Sequence, residues 1–244
     1  MCYQNYLLSI LFCCYFQTVC AIESRVYDGQ DLRFEVHKYL VKIKAYHRLN
    51  AVSRCSGSII DQSWIITAAH CFKTDVEIVD VFRQNHHGLR LIAKVARKNI
   101  YSHPSYVGDS GPINYRSVDI ALMKTSSPIK FNAYVQPVKL TEEPFRIGQS
   151  AIIAGFGKSE DHMAYPREGS IVLVSCPRNV QGVICSIDTV RAGSGDSGGS
   201  LTSKGYLIGV TSASCINVHI HKKCITIYAD VFSNLDWITE VIHK

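Results

Sequence analysis

Apolar and charged residues alternate from Val41 onward in the stretch Tyr39-Leu40-Val41-Lys42-Ile43-Lys44-Ala45. Alternation with a period of two is typical of a β-strand that has one buried face. Residues 58–67, SIIDQSWIIT, form a second apolar run, and further short runs follow, separated by turn residues. Many short runs of this kind predict an all-β protein, built either as a sandwich or as a pair of barrels.

The carboxyl end of the chain has a different pattern. Leu235, Ile238, Val241 and Ile242 repeat at the spacing of an α-helix. Ser233 precedes them and is the type of residue that caps a helix. We therefore expect an all-β body that ends in one amphipathic helix.

Length and composition limit the class of protein. The chain has 244 residues, 47% of them hydrophobic and 19% charged, which excludes a disordered protein. The net charge of +6 is not concentrated in a basic block, so we expect neither nucleic acid nor membrane as a partner. Ten cysteines indicate an oxidising compartment.

The amino-terminal residues predict secretion. Residues 7–19 are mostly apolar, too few to span a bilayer but typical of a signal peptide, whereas a buried strand is the alternative. Val19-Cys20-Ala21 would supply the cleavage site, so residues 1–21 are expected to be removed. An even number of cysteines remains, which predicts three disulfides with fifteen possible connectivities. These cysteines are Cys55, Cys71, Cys176, Cys185, Cys215 and Cys224.

Three short motifs predict the chemistry. His70 ends the string Thr-Ala-Ala-His, Asp119 precedes an apolar run, and Ser197 lies in Gly-Asp-Ser-Gly-Gly. Each alone has an ordinary explanation as a surface histidine, a turn aspartate or a flexible loop. Together, in the order His, Asp, Ser, they match a known order of the catalytic triad. Ser197 would be the nucleophile, His70 its general base and Asp119 the residue that orients the base, with the amides of Gly195 and Ser197 as the oxyanion hole.

With these motifs the chain resembles the trypsin/chymotrypsin family of secreted serine endopeptidases from about Val26 to Lys244. Gly155-Phe156-Gly157 and residues 101–106, YSHPSY, are similar to further segments of that family. The resemblance implies two six-stranded antiparallel β-barrels with the active site between them, followed by the C-terminal α-helix. It also implies a monomeric hydrolase without cofactor or metal, which acts on protein or peptide substrates and is open to protein inhibitors of proteases.

The resemblance further implies activation from a zymogen. Zymogens of the family are cut after a basic residue, here Arg25, and the new amine of Val26 would pair with Asp196. Residues 22–25 would then be a short activation propeptide and residues 26–244 the protease domain. We expect the uncut chain to lack the contact between Val26 and Asp196.

Substrate specificity departs from the family pattern. The residue six positions before the nucleophile, at the base of the primary pocket, is Arg191, where trypsin-like enzymes have Asp. Ser212, Ser214 and Thr226 are the other residues assigned to substrate binding. We do not expect preference for Arg or Lys. Arg191 would bind an acidic substrate side chain, or fold away and leave a small polar pocket, or plug the pocket of a weak or inactive enzyme.

The family pattern implies a disulfide between Cys55 and Cys71, and Cys176–Cys185 suits another disulfide of the family. Cys215–Cys224 is the remaining pair. A zinc site that adds His219 and His221 is the alternative there, although secreted cysteines usually oxidise. Two other functions stay open, a non-catalytic binding protein on this scaffold and a structural secreted β-protein.

Overall fold

The computed structural model describes residues 26–72, 75–108, 113–157, 165–177, 180–214 and 224–244. The signal peptide and propeptide expected at residues 1–25 lie outside this part. Fifteen strands and one α-helix, α1 (Leu235–Ile242), occur within it. The strands are β1 (Gln30–Asp31), β2 (Leu40–His47), β3 (Val52–Ile59), β4 (Trp64–Thr67), β5 (Val76–Asn85), β6 (Gly88–Ala96), β7 (Ile100–Ser102), β8 (Ala121–Lys124), β9 (Lys139–Leu140), β10 (Ser150–Gly155), β11 (Arg167–Val174), β12 (Val183–Asp188), β13 (Ser200–Ser203), β14 (Tyr206–Ser214) and β15 (Cys224–Asp230).

The amino-terminal sheet has the strand order β6-β5-β2-β3-β4-β8-β7, and every pair in it is antiparallel. Strand β2 contains the alternating stretch that predicted it. Val41, Ile43 and Ala45 are buried, while Lys42 and Lys44 between them are partly exposed. The alternation therefore places the apolar face of this sheet toward the interior.

The carboxyl-terminal sheet closes on itself. Its order is β1-β11-β10-β13-β14-β15-β12, and β12 also pairs with β11, which completes a six-stranded barrel. Strand β1 adds to the outside of β11, and β9 pairs with β14 in parallel. The predicted all-β fold with two barrel-like sheets is confirmed, and only this second sheet is a closed six-stranded barrel among the described strands.

The predicted C-terminal helix is present, but the predicted cap is wrong. Asn234 occupies the N-cap position and makes no side-chain capping bond. Ser233 lies one residue earlier, inside the 3₁₀ turn Phe232–Asn234, and its hydroxyl donates to Asp230 Oδ2 over 2.6 Å. Ile238 and Val241 are buried in the core, so α1 packs its apolar face on the barrels. Among the described residues, no helix is both long and apolar enough to cross a membrane.

The two sheets meet at the start of the second barrel. Ala154 and Phe156, at and after the end of β10, belong to the same hydrophobic cluster as Ile65 and Leu122 of the first sheet. The Ser56 amide on β3 donates to the Ser197 carbonyl over 2.8 Å. The loop that carries Ser197 is therefore attached to the first sheet, at the boundary between the two halves.

Candidate active site

His70 lies in the 3₁₀ turn Ala69–Cys71, directly after strand β4. Ala69 and Cys71 on either side of it are buried, whereas the His70 side chain is 16% exposed. The disulfide Cys55–Cys71 ties the turn to β3, with an S–S distance of 2.00 Å. A rigid turn thus holds a partly exposed imidazole at the edge of the first sheet.

Asp119 is fully buried behind His70. Its Oδ1 accepts the His70 backbone N–H over 2.9 Å, and its Oδ2 lies 2.8 Å from His70 Nδ1. The Ser212 hydroxyl also donates to Oδ2. Burial by itself would raise the pKa of Asp119, but the hydrogen bonds from His70 and Ser212 outweigh it and hold that pKa below its ordinary value. The carboxylate is therefore charged at neutral pH and fixes the orientation of the imidazole.

Ser197 follows the buried Asp196 in a loop whose two neighbouring glycines have positive φ angles. Gly195 has φ +99° and Gly198 has φ +76°, the left-handed conformation that favours glycine. The Ser197 carbonyl oxygen lies 3.9 Å from the sulfur of Cys71, the residue next to His70. Ser197 also lines one cleft together with Ser212, which binds Asp119. The structure thus brings the three residues of the predicted triad to one place.

The loop before Ser197 is held in a defined conformation. The Ser56 hydroxyl donates to the Gly195 carbonyl over 2.9 Å and accepts the Phe156 amide over 2.8 Å. This bond turns the Gly195 carbonyl toward the first sheet. Among the described residues, neither the Gly195 nor the Ser197 amide donates a hydrogen bond. Two N–H groups near the serine are therefore available to an incoming oxygen.

Asp196 is fully buried and accepts several backbone amides. Gly157 N donates to its Oδ1 over 2.7 Å, and Gly193 N donates to Oδ2 over 2.8 Å. The backbone nitrogen of Val26 lies 3.1 Å from Oδ2, so our expectation that the uncut chain lacks this contact is wrong. The physical reason is that a buried carboxylate needs donors, and the Val26 amide supplies one even without a free amine. Arg25 lies outside the described residues.

The cleft beside Ser197 has a volume of about 300 Å³. Six of the residues around it are Tyr27, Gly193, Ser197, Ser212, Ala213 and Ser214. Two residues predicted to bind substrate, Ser212 and Ser214, are among them, but Arg191 and Thr226 are not. Thr226 is fully buried, and its hydroxyl oxygen lies 3.1 Å from the hydroxyl oxygen of Ser214.

Arg191 does not line this cleft. Its Nη1 donates to the Thr189 carbonyl over 3.2 Å, and its Cζ lies 4.0 Å from the centre of the Tyr27 ring. Of the three interpretations of Arg191, this geometry favours the one in which the side chain folds away and leaves a polar pocket.

Sequence reasoning missed three residues of this site. Tyr27 lines the cleft, Ser56 orients the Gly195 carbonyl, and Arg116 Nη1 lies 3.6 Å from Asp119 Oδ2. Only Arg116 had a local signal, because it precedes Asp119 by three residues. The other two contacts join residues distant in sequence.

The structure contains the disulfide Cys176–Cys185, with an S–S distance of 2.06 Å. Cys224 is also disulfide-bonded, and its predicted partner Cys215 lies outside the described residues, as do His219 and His221. Cys55, His70 and Cys71 come within 4.8 Å of one another. Because the two sulfurs form a disulfide, they are not thiolates and do not suit a metal ion.

The comparisons with known proteins agree with one another. A family model described as Trypsin matches residues 27–238. The thrombin-like enzyme kangshuanmei of Gloydius brevicauda is 26% identical over 89% of this chain and 96% of its own length. Trypsin-3 of Homo sapiens is 28% identical over 77% of this chain and 64% of its own length. The structure of neuropsin, a serine protease expressed in the limbic system of mouse brain, superposes with a TM-score of 0.72 at 22% identity, covering 88% of this chain and 99% of neuropsin.

Proposed function

Because the chain belongs to the trypsin family of serine-type endopeptidases, we propose that it hydrolyses peptide bonds with a triad of Ser197, His70 and Asp119. The observation that carries the proposal is the 2.8 Å contact between His70 Nδ1 and the buried Asp119 carboxylate. A carboxylate in that position selects the tautomer with the proton on Nδ1, so Nε2 carries the lone pair that accepts the serine proton.

The reaction begins when Ser197 Oγ attacks the carbonyl carbon of the scissile bond and His70 Nε2 takes its proton. The imidazolium that forms is stabilised by Asp119, which stays ionised. The amides of Gly195 and Ser197 donate to the oxyanion of the tetrahedral intermediate. His70 then returns the proton to the leaving amine, and water hydrolyses the acyl-enzyme by the same route.

Active-site labelling tests this proposal. A fluorophosphonate probe should label the wild-type protein at Ser197, and both Ser197→Ala and His70→Ala should abolish labelling. Ser126→Ala, which removes an exposed hydroxyl away from the cleft, is the matched control and should label normally. If the fully processed protein is not labelled, the proposal is wrong and a non-catalytic binding protein is favoured instead.

The same proposal includes secretion and activation. Removal of residues 1–21 and a cut at Arg25–Val26 would replace the Val26 amide by a charged α-amine. The Val26 nitrogen already lies 3.1 Å from Asp196 Oδ2, so the cut would turn an existing hydrogen bond into a buried ion pair. The amino-terminal sequence of the active secreted protein should be Val-Tyr-Asp-Gly. Full activity of a protein that retains Met1 would contradict this step.

The pocket does not suit trypsin-like specificity. Around the cleft, the described residues include no carboxylate that could pair with a substrate Lys or Arg. Slow hydrolysis of simple arginine substrates by the activated enzyme is the expected result, and rapid hydrolysis would contradict it.

A further inference from the structure

Tyr27 lines the cleft beside Ser197, and its ring packs against the guanidinium of Arg191, which does not line the cleft. We propose that Tyr27 is a specificity-determining residue, which closes the floor of this cleft and restricts the residue before the scissile bond to small uncharged side chains. This inference rests on the proposed protease function, because it assigns the cleft to the substrate side chain next to the bond that is cut.

The backbone fixes the position of the Tyr27 ring. Tyr27 N donates to the Arg191 carbonyl over 2.8 Å, and Arg191 N donates to the Tyr27 carbonyl over 3.3 Å. Val26, the preceding residue, is completely buried, and its nitrogen contacts Asp196 Oδ2. The ring is therefore attached to a segment whose backbone is held by Arg191 and by Asp196.

Gly193 provides the space that the ring occupies. A Cβ on Gly193 would lie 3.1 Å from Tyr27 Cε2, closer than most real Cβ contacts. Gly193 itself lines the same cleft. A side chain at position 193 would clash with the Tyr27 ring at the floor of the cleft. The ring can therefore take this position because residue 193 is glycine.

The guanidinium of Arg191 packs on the same ring. Its guanidinium carbon is 4.0 Å from the ring centre, within the range of a cation–π contact. One nitrogen is used by the Thr189 carbonyl, whereas Nε is buried and has no hydrogen-bond partner among the described residues. Removing the ring would let an anion approach this unsatisfied donor.

These contacts decide which substrate side chains fit. The described residues around the cleft are uncharged, so none of them offers an ion pair to a substrate Asp, Glu, Lys or Arg in return for the hydration that it loses. A long side chain would also meet the Tyr27 ring. Glycine, alanine and serine side chains avoid both the loss of charge hydration and the clash with the ring. The hydroxyl of Ser214, which lines the cleft, suits a substrate serine.

The test compares four forms of the secreted protein processed to begin at Val26. Wild type, Tyr27→Ala, Tyr27→Phe and the double variant Tyr27→Ala/Arg191→Ala are assayed on peptides that differ only in Ala, Glu or Lys before the scissile bond. In the wild type, kcat/KM should be highest for Ala. Tyr27→Ala should raise the ratio of Glu to Ala by roughly tenfold or more, because a bond to the charged Arg191 becomes available.

Two controls make the result specific. Tyr27→Phe keeps the ring and should keep the wild-type order of preference, and the double variant should lose the gain for Glu. Preference of the wild type for Glu or Lys, or an unchanged ratio in Tyr27→Ala, would overturn the inference.

A binding measurement separates this inference from the protease function. In a Ser197→Ala background, calorimetric titration measures the affinity of the cleft for the same peptides without turnover. Tightest binding of the Ala peptide, with a shift toward Glu in Tyr27→Ala, supports the inference even if wild type fails to label with the probe. Equal binding of all three peptides overturns it, whether or not the enzyme is active.

Discussion

At the scale of single residues, Asp119 should control the rate of the chemical step. Asp119→Asn keeps the size of the side chain but allows the amide to donate to His70 Nδ1, which selects the wrong tautomer. We expect kcat to fall by about 10⁴-fold, the loss typical of this change in a Ser-His-Asp triad. Steady-state hydrolysis of a peptide substrate measures it.

A second histidine–aspartate contact provides a matched control. His47 Nδ1 lies 2.9 Å from Asp75 Oδ1, and its Nε2 lies 2.9 Å from Ser53 Oγ. The distances resemble those of the triad, but neither Ser53 nor His47 lines the cleft beside Ser197. Asp75→Asn should leave kcat within a few-fold of wild type. An equal loss in both variants would mean that Asp119 acts through general stability and not through His70.

The sequence predicts the triad residues together with Ser212 and Ser214, but not Tyr27 or Ser56, for a physical reason. His70, Asp119 and Ser197 each lie in a short motif whose chemistry is evident locally. The roles of Tyr27 and Ser56 arise from contacts with Arg191 and Gly195, more than a hundred residues away along the chain. Such contacts depend on how the two sheets are assembled, and no local pattern indicates them.

At the scale of structural elements, the loop that carries Ser197 depends on one glycine. A Cβ on Gly198 would overlap Thr67 Oγ1 and the Ser56 carbonyl, and its φ of +76° disfavours other residues. Gly198→Ala should lower the free energy of unfolding by more than about 3 kcal/mol, beyond the range of backbone strain alone. Urea unfolding in a Ser197→Ala background measures this without self-digestion.

Gly205 is the control for backbone strain alone. It has a similar φ of +84°, but a Cβ there would meet nothing within 4 Å. Gly205→Ala should therefore cost only about 1–2 kcal/mol. Equal losses in the two variants would show that strain, and not the close approach to the first sheet, makes Gly198 necessary.

The two described disulfides allow stability and catalysis to be separated. They close loops of similar length, with sequence separations of 16 for Cys55–Cys71 and 9 for Cys176–Cys185. Replacing either pair by alanine should lower the free energy of unfolding by about 3 kcal/mol. Only the first pair fixes the turn of His70, so only its loss should reduce kcat at a temperature where both variants remain folded. Thermal unfolding and peptide hydrolysis provide the two readouts, and a similar fall in kcat for both pairs would contradict the argument.

Strands were easier to predict than their arrangement. The alternation in β2 corresponds directly to its buried and exposed positions, because successive side chains of a strand point to opposite faces of the sheet. The two-residue strands β1 and β9 are too short to carry a pattern. Closure of the second barrel requires β11 to pair with β12 as well as with β10, and pairing of distant strands leaves no periodic signal. Ser233 is not the helix cap because it lies within the 3₁₀ turn Phe232–Asn234, and α1 begins only after that turn.

At the scale of the whole molecule, a buried histidine joins the two halves. His37, just before β2, contacts Glu168 on β11 through Nε2, and both side chains are 2% exposed. Gln30 Nε2 and Arg33 Nε also donate to Glu168, over 3.0 and 3.3 Å. The Tyr39 hydroxyl lies 2.8 Å from His37 Nδ1. This cluster links the segment after Val26, the first sheet and the second barrel.

The buried histidine should make the association of the two halves sensitive to acid. Burial lowers the pKa of His37 from its ordinary 6.5, although Glu168 acts in the opposite direction, while Arg33 and Arg83 lower it further. A lowered folded-state pKa means that the unfolded chain binds the proton more tightly. The contribution of His37 to stability is thus fully present above about pH 6.5 and is lost as the pH falls toward the folded-state pKa, with a slope of at most about 1.4 kcal/mol per pH unit.

His37→Gln tests this coupling in the Ser197→Ala background. Glutamine cannot titrate, so the free energy of unfolding should be lower at pH 7.5 but should decline less steeply between pH 6.5 and 5. His103, whose pKa burial also lowers, acts in the same direction, and the slope should therefore become smaller without vanishing. His87→Gln changes an exposed histidine and should leave the slope as in the parent protein. Urea unfolding across this pH range measures the slopes. An unchanged slope in His37→Gln would contradict the prediction. It would mean that Glu168 stabilises the His37 imidazolium in the folded protein as well as water does in the unfolded chain.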